Sequence, residues 1–270
     1  ATYTPSAAEI TAGTVTLTLT TTGNGLCNPE SDQMTITITP APTANAGTDV
    51  TVCANNPTVT LNGVVTVATG GTWSGGSGSF SPGANALATQ YTPSAAEISS
   101  GSLTLTLTTT GNGSCLAVSD DINILFTPAP TANAGTDQTK CKNNNVATLA
   151  GSVTVATGGT WSGGTGVFNP NNNTLNATYT PSAAELANGF VNLTLTTTGN
   201  GSCLATTDNM VITYTDAPTV NAGSDVTVCA NNPSVTLNGS VTGATGGQLL
   251  GGTGTFSPNN STLNATYTPS

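Results

Sequence analysis

SLTLTLTTTGNGSC, Ser102 to Cys115, decides the fold. Leu103, Leu105 and Leu107 alternate with Thr104, Thr106 and Thr108, so a strand here has one apolar and one polar face, as expected of a half-buried antiparallel strand. Thr110 to Gly113, TGNG, supplies the turn, because Asn-Gly accepts positive φ at little cost. The same period of two returns at Ile122, Ile124 and Phe126, at Val50 and Val52, and at Val59 and Leu61. One segment breaks it. TPSAAE has Pro93 suited to a first helical position and Ser94 with Glu97 at capping-box spacing, which predicts a turn or so of helix.

Working outward, nearly every landmark recurs at one step. Tyr3, Tyr91, Tyr179 and Tyr267 are 88 residues apart, as are Cys27, Cys115 and Cys203, and Cys53, Cys141 and Cys229. The chain is therefore a tandem array of about three units in 270 residues. PAPT at Pro40–Thr43 and Pro128–Thr131, and DAPT at Asp216–Thr219, mark the borders. Proline fixes φ and removes a donor, so each border reads as a short extended connector. The expected domains are 1–39, the C-terminal part of a repeat; 40–127 and 128–215, complete repeats; and 216–270, the N-terminal part of another. About seven short strands per unit, with turn signals between them, predict all-β, immunoglobulin-like Greek-key sandwiches. An elongated rod follows, each unit adding roughly 35 to 45 Å.

Composition excludes several classes of function. Lys140 and Lys142 are the only basic residues, Arg and His are absent, and twelve acidic residues leave a net charge of -10. Nucleic acid is excluded as a partner, since binding it takes a basic patch. No apolar run has the length to span a bilayer. Catalysis has almost nothing to stand on: no His serves as general base and no Arg clamps an anion. The recurring Glu9, Glu97 and Glu185 are explained as helix caps, so the chain is not expected to be an enzyme. It begins and closes on ATYTPS, which reads as an excerpt from a longer protein.

Cysteine is the most specific signal. Two per repeat at matching places, with neither CxxC nor histidine, indicates disulfides formed in an oxidising compartment and not a zinc site. The expected bonds are Cys53–Cys115 and Cys141–Cys203, each closing a 62-residue gap within a complete repeat and stabilising it by several kcal/mol on loop entropy, about the usual range. Cys27 and Cys229 then stay unpaired. The rival pairing, Cys27 with Cys53, would cross a PAPT border.

Trp73 and Trp161 follow Gly-Gly, and Leu249 stands in the same slot of the third copy. Leucine can fill an apolar slot but offers no flat π face, so the tryptophans read as core plugs; the alternative is an exposed platform for a glycan. Tyr91, Tyr179, Phe80 and Phe168 read as core. Asp49, Asp137 and Asp225 read as turn formers that bond their own backbone, with Ca²⁺ at a domain junction as the alternative, and Asp120 with Asp121 as a solvated turn.

Units of the form APTANAGTDVTVCANNP…GGTWSGG…YTPSAAEISSGSLTLTLTTTGNGSC resemble the tandem repeats of very large cell-surface proteins of Bacteroidota, including gliding-motility adhesins of the SprB type, and also polycystic-kidney-disease-like modules. The resemblance spans the whole chain. It implies export by the type IX secretion system, anchoring at the outer membrane through regions outside these residues, and a long filament touching the substratum, surface polysaccharide or other cells. Neighbouring repeats are the first partners, and homotypic contacts between filaments would follow. The leading expectation is thus a structural and adhesive surface filament. The alternatives are a carbohydrate-binding repeat using Trp73 and Trp161, or a self-assembling multi-chain fibre. TKCKNNN at Thr139–Asn145, where the preceding copy has TVCANNP, is the clearest departure from the repeat.

Overall fold

A computed structural model describes all residues, 1–270. The chain opens with α1 (Ala7–Ala12), β1 (Thr14–Thr20) and β2 (Ser31–Thr37). Next come β3 (Thr43–Asn45), β4 (Val50–Cys53), β5 (Val59–Asn62), β6 (Val64–Thr66), β7 (Gly70–Ser74), β8 (Ser79–Ser81), β9 (Ala88–Thr92), α2 (Ala95–Ser100), β10 (Ser102–Thr110) and β11 (Ser119–Thr127). The order recurs as β12 (Thr131–Asn133), β13 (Gln138–Cys141), β14 (Ala147–Thr148), β15 (Ser152–Thr154), β16 (Gly158–Ser162), β17 (Val167–Asn169), β18 (Thr178–Thr180), α3 (Ala183–Asn188), β19 (Phe190–Thr198) and β20 (Thr207–Thr215). It starts again with β21 (Thr219–Asn221), β22 (Val235–Thr236), β23 (Ser240–Thr242), β24 (Thr255–Ser257) and β25 (Thr266–Thr268). No helix is long and apolar enough to cross a membrane.

The architecture is a tandem array of all-β sandwiches. In the first, β4-β11-β10-β7 form one sheet, faced by β5-β9-β8 and the small pair β3-β6. Strands β13-β20-β19-β16, β14-β18-β17 and β12-β15 repeat this arrangement. The alternation read in Ser102–Thr110 is the burial pattern of β10: Leu105 and Leu107 are buried among Leu61, Trp73, Tyr91, Ile122 and Ile124. Its outer threonines pair across the ladder, Thr104 Oγ1 donating to Asn123 Oδ1 at 2.7 Å and Thr108 lying 2.8 Å from the Ser119 hydroxyl, the cross-strand contact that stabilises a solvated sheet face. Nine strands occur where about seven were expected. The additional pieces, such as β3 and β6, are three residues long, too short for alternation to register.

The chain divides into two compact units, Ala1–Ala129 with Gly201–Leu204, and Pro130–Asn200 with Ala205–Ser270. A four-residue loop of the second sequence repeat therefore belongs with the first unit. A disulfide, Cys53–Cys203, ties it there.

Each short helix carries the expected capping box. Ser94 Oγ accepts from Glu97 N–H, and Glu97 accepts in return from Ser94 N–H at 2.7 Å. Pro93 sits one residue before the N-cap and not at the first helical position, because Ser94 itself is the extended cap residue, with ψ 160°.

Candidate functional site

Strand β4 fixes the place of Cys53. It runs parallel to β11, with Val50 opposite Ile124 and Cys53 opposite Thr127. Asp49 pins this register by accepting the Asn123 N–H at 2.8 Å, as Asp137 accepts that of Val211 in the next sandwich. Asp49 and Asp137 thus reach across the sheet, where the sequence led us to expect turn formers bonding their own backbone. Asp120 is no free turn residue either: its carboxylate accepts the Ala46 N–H at 2.8 Å, and Asp208 does the same for Ala134. No group of three or more His, Cys, Asp or Glu side chains that could hold a metal ion occurs in the chain.

The cysteine pairing differs from both expected bonds. Cys53 is bonded to Cys203, 150 residues along the chain; Cys115 and Cys141 are free, as are Cys27 and Cys229. The parallel register is the cause. Cys53 lies level with Thr127 at the C-terminal end of β11, whereas Cys115 lies in the hairpin before Ser119, where β11 starts. Eight strand residues separate those levels by about 26 Å at ~3.3 Å each, while a disulfide needs Cα atoms within about 7 Å. The same geometry separates Cys141 from Cys203. Cys53 is instead carried to the border that follows its sandwich, and the rival Cys27–Cys53 pairing fails because it reaches for the border that precedes it.

Around the disulfide the backbone of the loop is read by two asparagines. Asn55 Nδ2 donates to Leu204 O at 2.9 Å and its Oδ1 accepts Leu204 N–H at 3.1 Å, while Asn56 Nδ2 donates to Ser202 O at 3.3 Å. Both sulfurs stand 3.8 Å from the carbonyl oxygen of Pro128, the first residue of the PAPT border. Loop 201–204 is therefore held by one covalent and three polar links, which is why it belongs with the first compact unit.

The other two borders carry half of this arrangement. Cys115 Sγ lies 3.7 Å from Pro40 O and 3.3 Å from Thr39 Oγ1. Cys141 Sγ lies 3.7 Å from Asp216 O. There the departures from the repeat explain one another: Lys142 Nζ pairs with Asp216 Oδ1 at 2.7 Å, so the altered cysteine motif and the altered border are two ends of one ion pair. The Lys142 ammonium holds the Asp216 carboxyl below its ordinary range.

The tryptophans are not glycan platforms. Trp73 and Trp161 are 2% and 0% exposed, and each indole Nε1–H donates inside the sandwich, to Leu87 O at 3.3 Å and Leu175 O at 3.1 Å. Leu249 keeps the backbone place of Trp161: its N–H donates to Asn260 O at 2.7 Å, as that of Trp161 donates to Asn172 O.

Sequence reading missed a buried polar hub. Glu97, read only as a cap, also accepts from the Tyr91 hydroxyl at 2.8 Å and from Ser77 N–H at 2.5 Å. Gly78 N–H donates to the Tyr91 hydroxyl at 2.8 Å, and Gly76, at φ +73°, passes so close that a Cβ there would strike that oxygen. Burial pushes the Glu97 pKa up, but the bonds from Ser94, Ser77 and Tyr91 outweigh it and hold the carboxyl below its ordinary value. Burial and the neighbouring carboxylate push Tyr91 up to about 12. Glu185 and Tyr179 repeat the arrangement. Its signal was the fixed spacing of Tyr, Ser and Glu in YTPSAAE, seen beside the glycine-rich turn.

No family model matches the chain, and no curated protein matches it. Solved structures that superpose in part include Drosophila N-cadherin EC1-4, at 11% identity over 68% of this chain and 52% of that one, TM-score 0.35. Human protocadherin-24 EC1-2 matches at 10% identity over 66% and 100%, TM-score 0.36. Sidekick-1 immunoglobulin domains 1–5 match at 15% identity over 80% and 50%, TM-score 0.34. This chain spans about half the length of the first and the last of these. Superpositions this partial carry neither an activity nor a partner across.

Proposed function

We propose that the chain is a structural and adhesive repeat region of an extracellular surface filament, acting through length and repetition and not through catalysis. One observation carries this reading: Cys53–Cys203 joins one sequence repeat to the next. A disulfide persists in an oxidising compartment, and one that ties successive repeats serves a protein that must stay extended and intact outside the cell. The side chains with chemical potential are spent on structure, since the Glu, Asp and Trp residues that recur are engaged with backbone groups or buried. The likeness of the repeat phrases to SprB-type adhesins of Bacteroidota supports the finer reading, a gliding or attachment adhesin exported by type IX secretion and held at the outer membrane.

The test is antibody raised against the purified chain, applied to intact cells that produce it. Gold label along surface fibres, together with antibody blocking of cell attachment to glass, is the expected result. Label confined to the cytoplasm, or native material with Cys53 and Cys203 reduced, overturns it.

A further inference from the structure

The second copy of the repeat departs from the others in one turn. Lys140 and Lys142, the only basic residues of the chain, stand where the first copy has Val52 and Ala54 and the third has Val228 and Ala230. Three residues past Lys142 comes Asn145, where those copies have Pro57 and Pro233. Proline holds φ fixed, so this turn lacks a restraint that stiffens the other two. The further departure, Asp216 in place of the border proline, reaches back to the same turn through its ion pair with Lys142.

The two lysines are held differently. Lys140 lies inside β13, opposite Tyr214 and flanked by the pairs Thr139 with Thr213 and Cys141 with Thr215. Its carbonyl also accepts from Thr215 Oγ1 at 3.3 Å, so freeing its backbone means stripping β13 from the sheet. Lys142 lies one residue beyond the last ladder pair. Its N–H donates to Thr215 O at 2.9 Å, its carbonyl accepts from Asn145 Nδ2 at 3.2 Å, and Asn144 N–H closes the turn on Cys141 O at 2.9 Å. Asn143 and Asn144 are exposed, and the next strand, β14, starts only at Ala147. Opening this turn therefore breaks three bonds and leaves both sheets paired.

We propose that the Lys142–Asn143 bond is a proteolytic processing site for a lysine-directed endopeptidase, latched by Asp216, and that the cut leaves the chain in one covalent piece. An enzyme of this class presents a carboxylate at the base of its specificity pocket. Lys142 exchanges one carboxylate for another on entering it, and the one it leaves, Asp216, is 89% exposed. Exposed pairs are weak, so the latch slows the cut and does not bar it. Hydrolysis consumes one water: the amide C–N bond between Lys142 and Asn143 breaks, the hydroxyl goes to the Lys142 carbonyl carbon and the proton to the Asn143 nitrogen. The cut bond lies between Cys53 and Cys203, so residues 1–142 and 143–270 stay joined through that disulfide. Strands β12 and β13 belong to the first piece, whereas β15 and β20, with which they pair, belong to the second. Strand pairing thus takes over from the peptide bond in holding the second sandwich together. None of this depends on what the filament adheres to.

The experiment incubates the purified, oxidised 270-residue chain with trypsin at neutral pH and follows it on gels run with and without reductant and by mass spectrometry. The expected result is a single species one water heavier without reductant, and the pieces 1–142 and 143–270 with it. Asp216→Asn should be cut faster by up to about fivefold, the factor an exposed pair contributes. Lys142→Gln, with an unchanged circular dichroism spectrum, should stay whole over the time in which the parent chain is fully cut. A first cut after Lys140, cleavage only once the chain is heat-unfolded, an Asp216→Asn variant cut no faster, or pieces that part without reductant would each overturn the proposal.

Discussion

Tyr214 and Phe126 occupy the same position in successive sandwiches, both buried, and the Tyr214 hydroxyl has no hydrogen-bond partner. A buried donor left unpaired costs about 1–3 kcal/mol, so Tyr214→Phe is expected to hold or raise stability by about 1 kcal/mol in calorimetry. A clear loss would mean that the hydroxyl finds a partner in solution. Burial pushes the Tyr214 pKa up to about 12, consistent with a dry site. Val67 and Val155 offer a similar comparison: both have φ near +65°, and the third copy has Gly243 at φ 69°. The N–H of Ala68 donates to Thr66 O at 2.7 Å, which makes Val67 the centre of the rare γ-turn. Relieving a left-handed β-branched residue is worth about 1–2 kcal/mol, part of it offset by glycine entropy. Val155→Gly should therefore raise the denaturation midpoint slightly. Trp73→Ala, by contrast, should cost about 3–5 kcal/mol. The core role of tryptophan was legible because Leu249 replaces it; the orphan hydroxyl was not, since only packing shows which groups lose their water.

At the scale of the element, the capping boxes and the β10–β11 hairpin were readable because both are local: a cap spans three residues and the alternation of Leu with Thr needs no distant partner. Strand β4 was readable as a strand but not as the parallel neighbour of β11, because the residues it meets lie 74 positions away and parallel pairing leaves no turn in the sequence. The cysteine pairing failed for that reason. Glu97 shows the same limit, since its cap could be read and its bonds to Ser77 and Tyr91 could not. Folding lowers the Glu97 pKa from 4.5, so its contribution is in place above that value and drains away as pH falls below it. Thermal unfolding should move to lower temperature as pH falls below about 4.5, and Glu97→Gln should flatten that dependence while costing about 1–3 kcal/mol at neutral pH. An unchanged acid profile in the variant would place the titrating group elsewhere. Tyr91 works in the opposite sense: its raised pKa gives stability present below pH 10 that is lost as pH climbs towards 12.

For the molecule as a whole, the 88-residue step announced a tandem array, and the sandwiches follow it. What sequence could not show is that the disulfide connects the repeats and does not staple each one internally. Reduction should therefore free loop 201–204 while leaving the sheets of residues 40–127 intact, and hydrogen exchange in the presence and absence of reductant reads the two separately. Cys203→Ser should cost about 2–5 kcal/mol, with the gain in exchange concentrated at Asn55, Asn56 and that loop. Salt should matter little by comparison, because the chain has a single ion pair, Lys142 with Asp216, on an exposed surface, where such pairs contribute about 0–1 kcal/mol.

The Cys53–Cys203 bond also sets how the chain would respond to an applied tension. Pulled from its two ends, the chain passes tension straight from residue 53 to residue 203, and the 150-residue span between them is slack. That span would otherwise release about 500 Å of contour at ~3.4 Å per residue. In a single-molecule stretching trace the release should be missing until a reductant cuts the shortcut, so the chain would be stiff in oxidising surroundings and extensible in reducing ones.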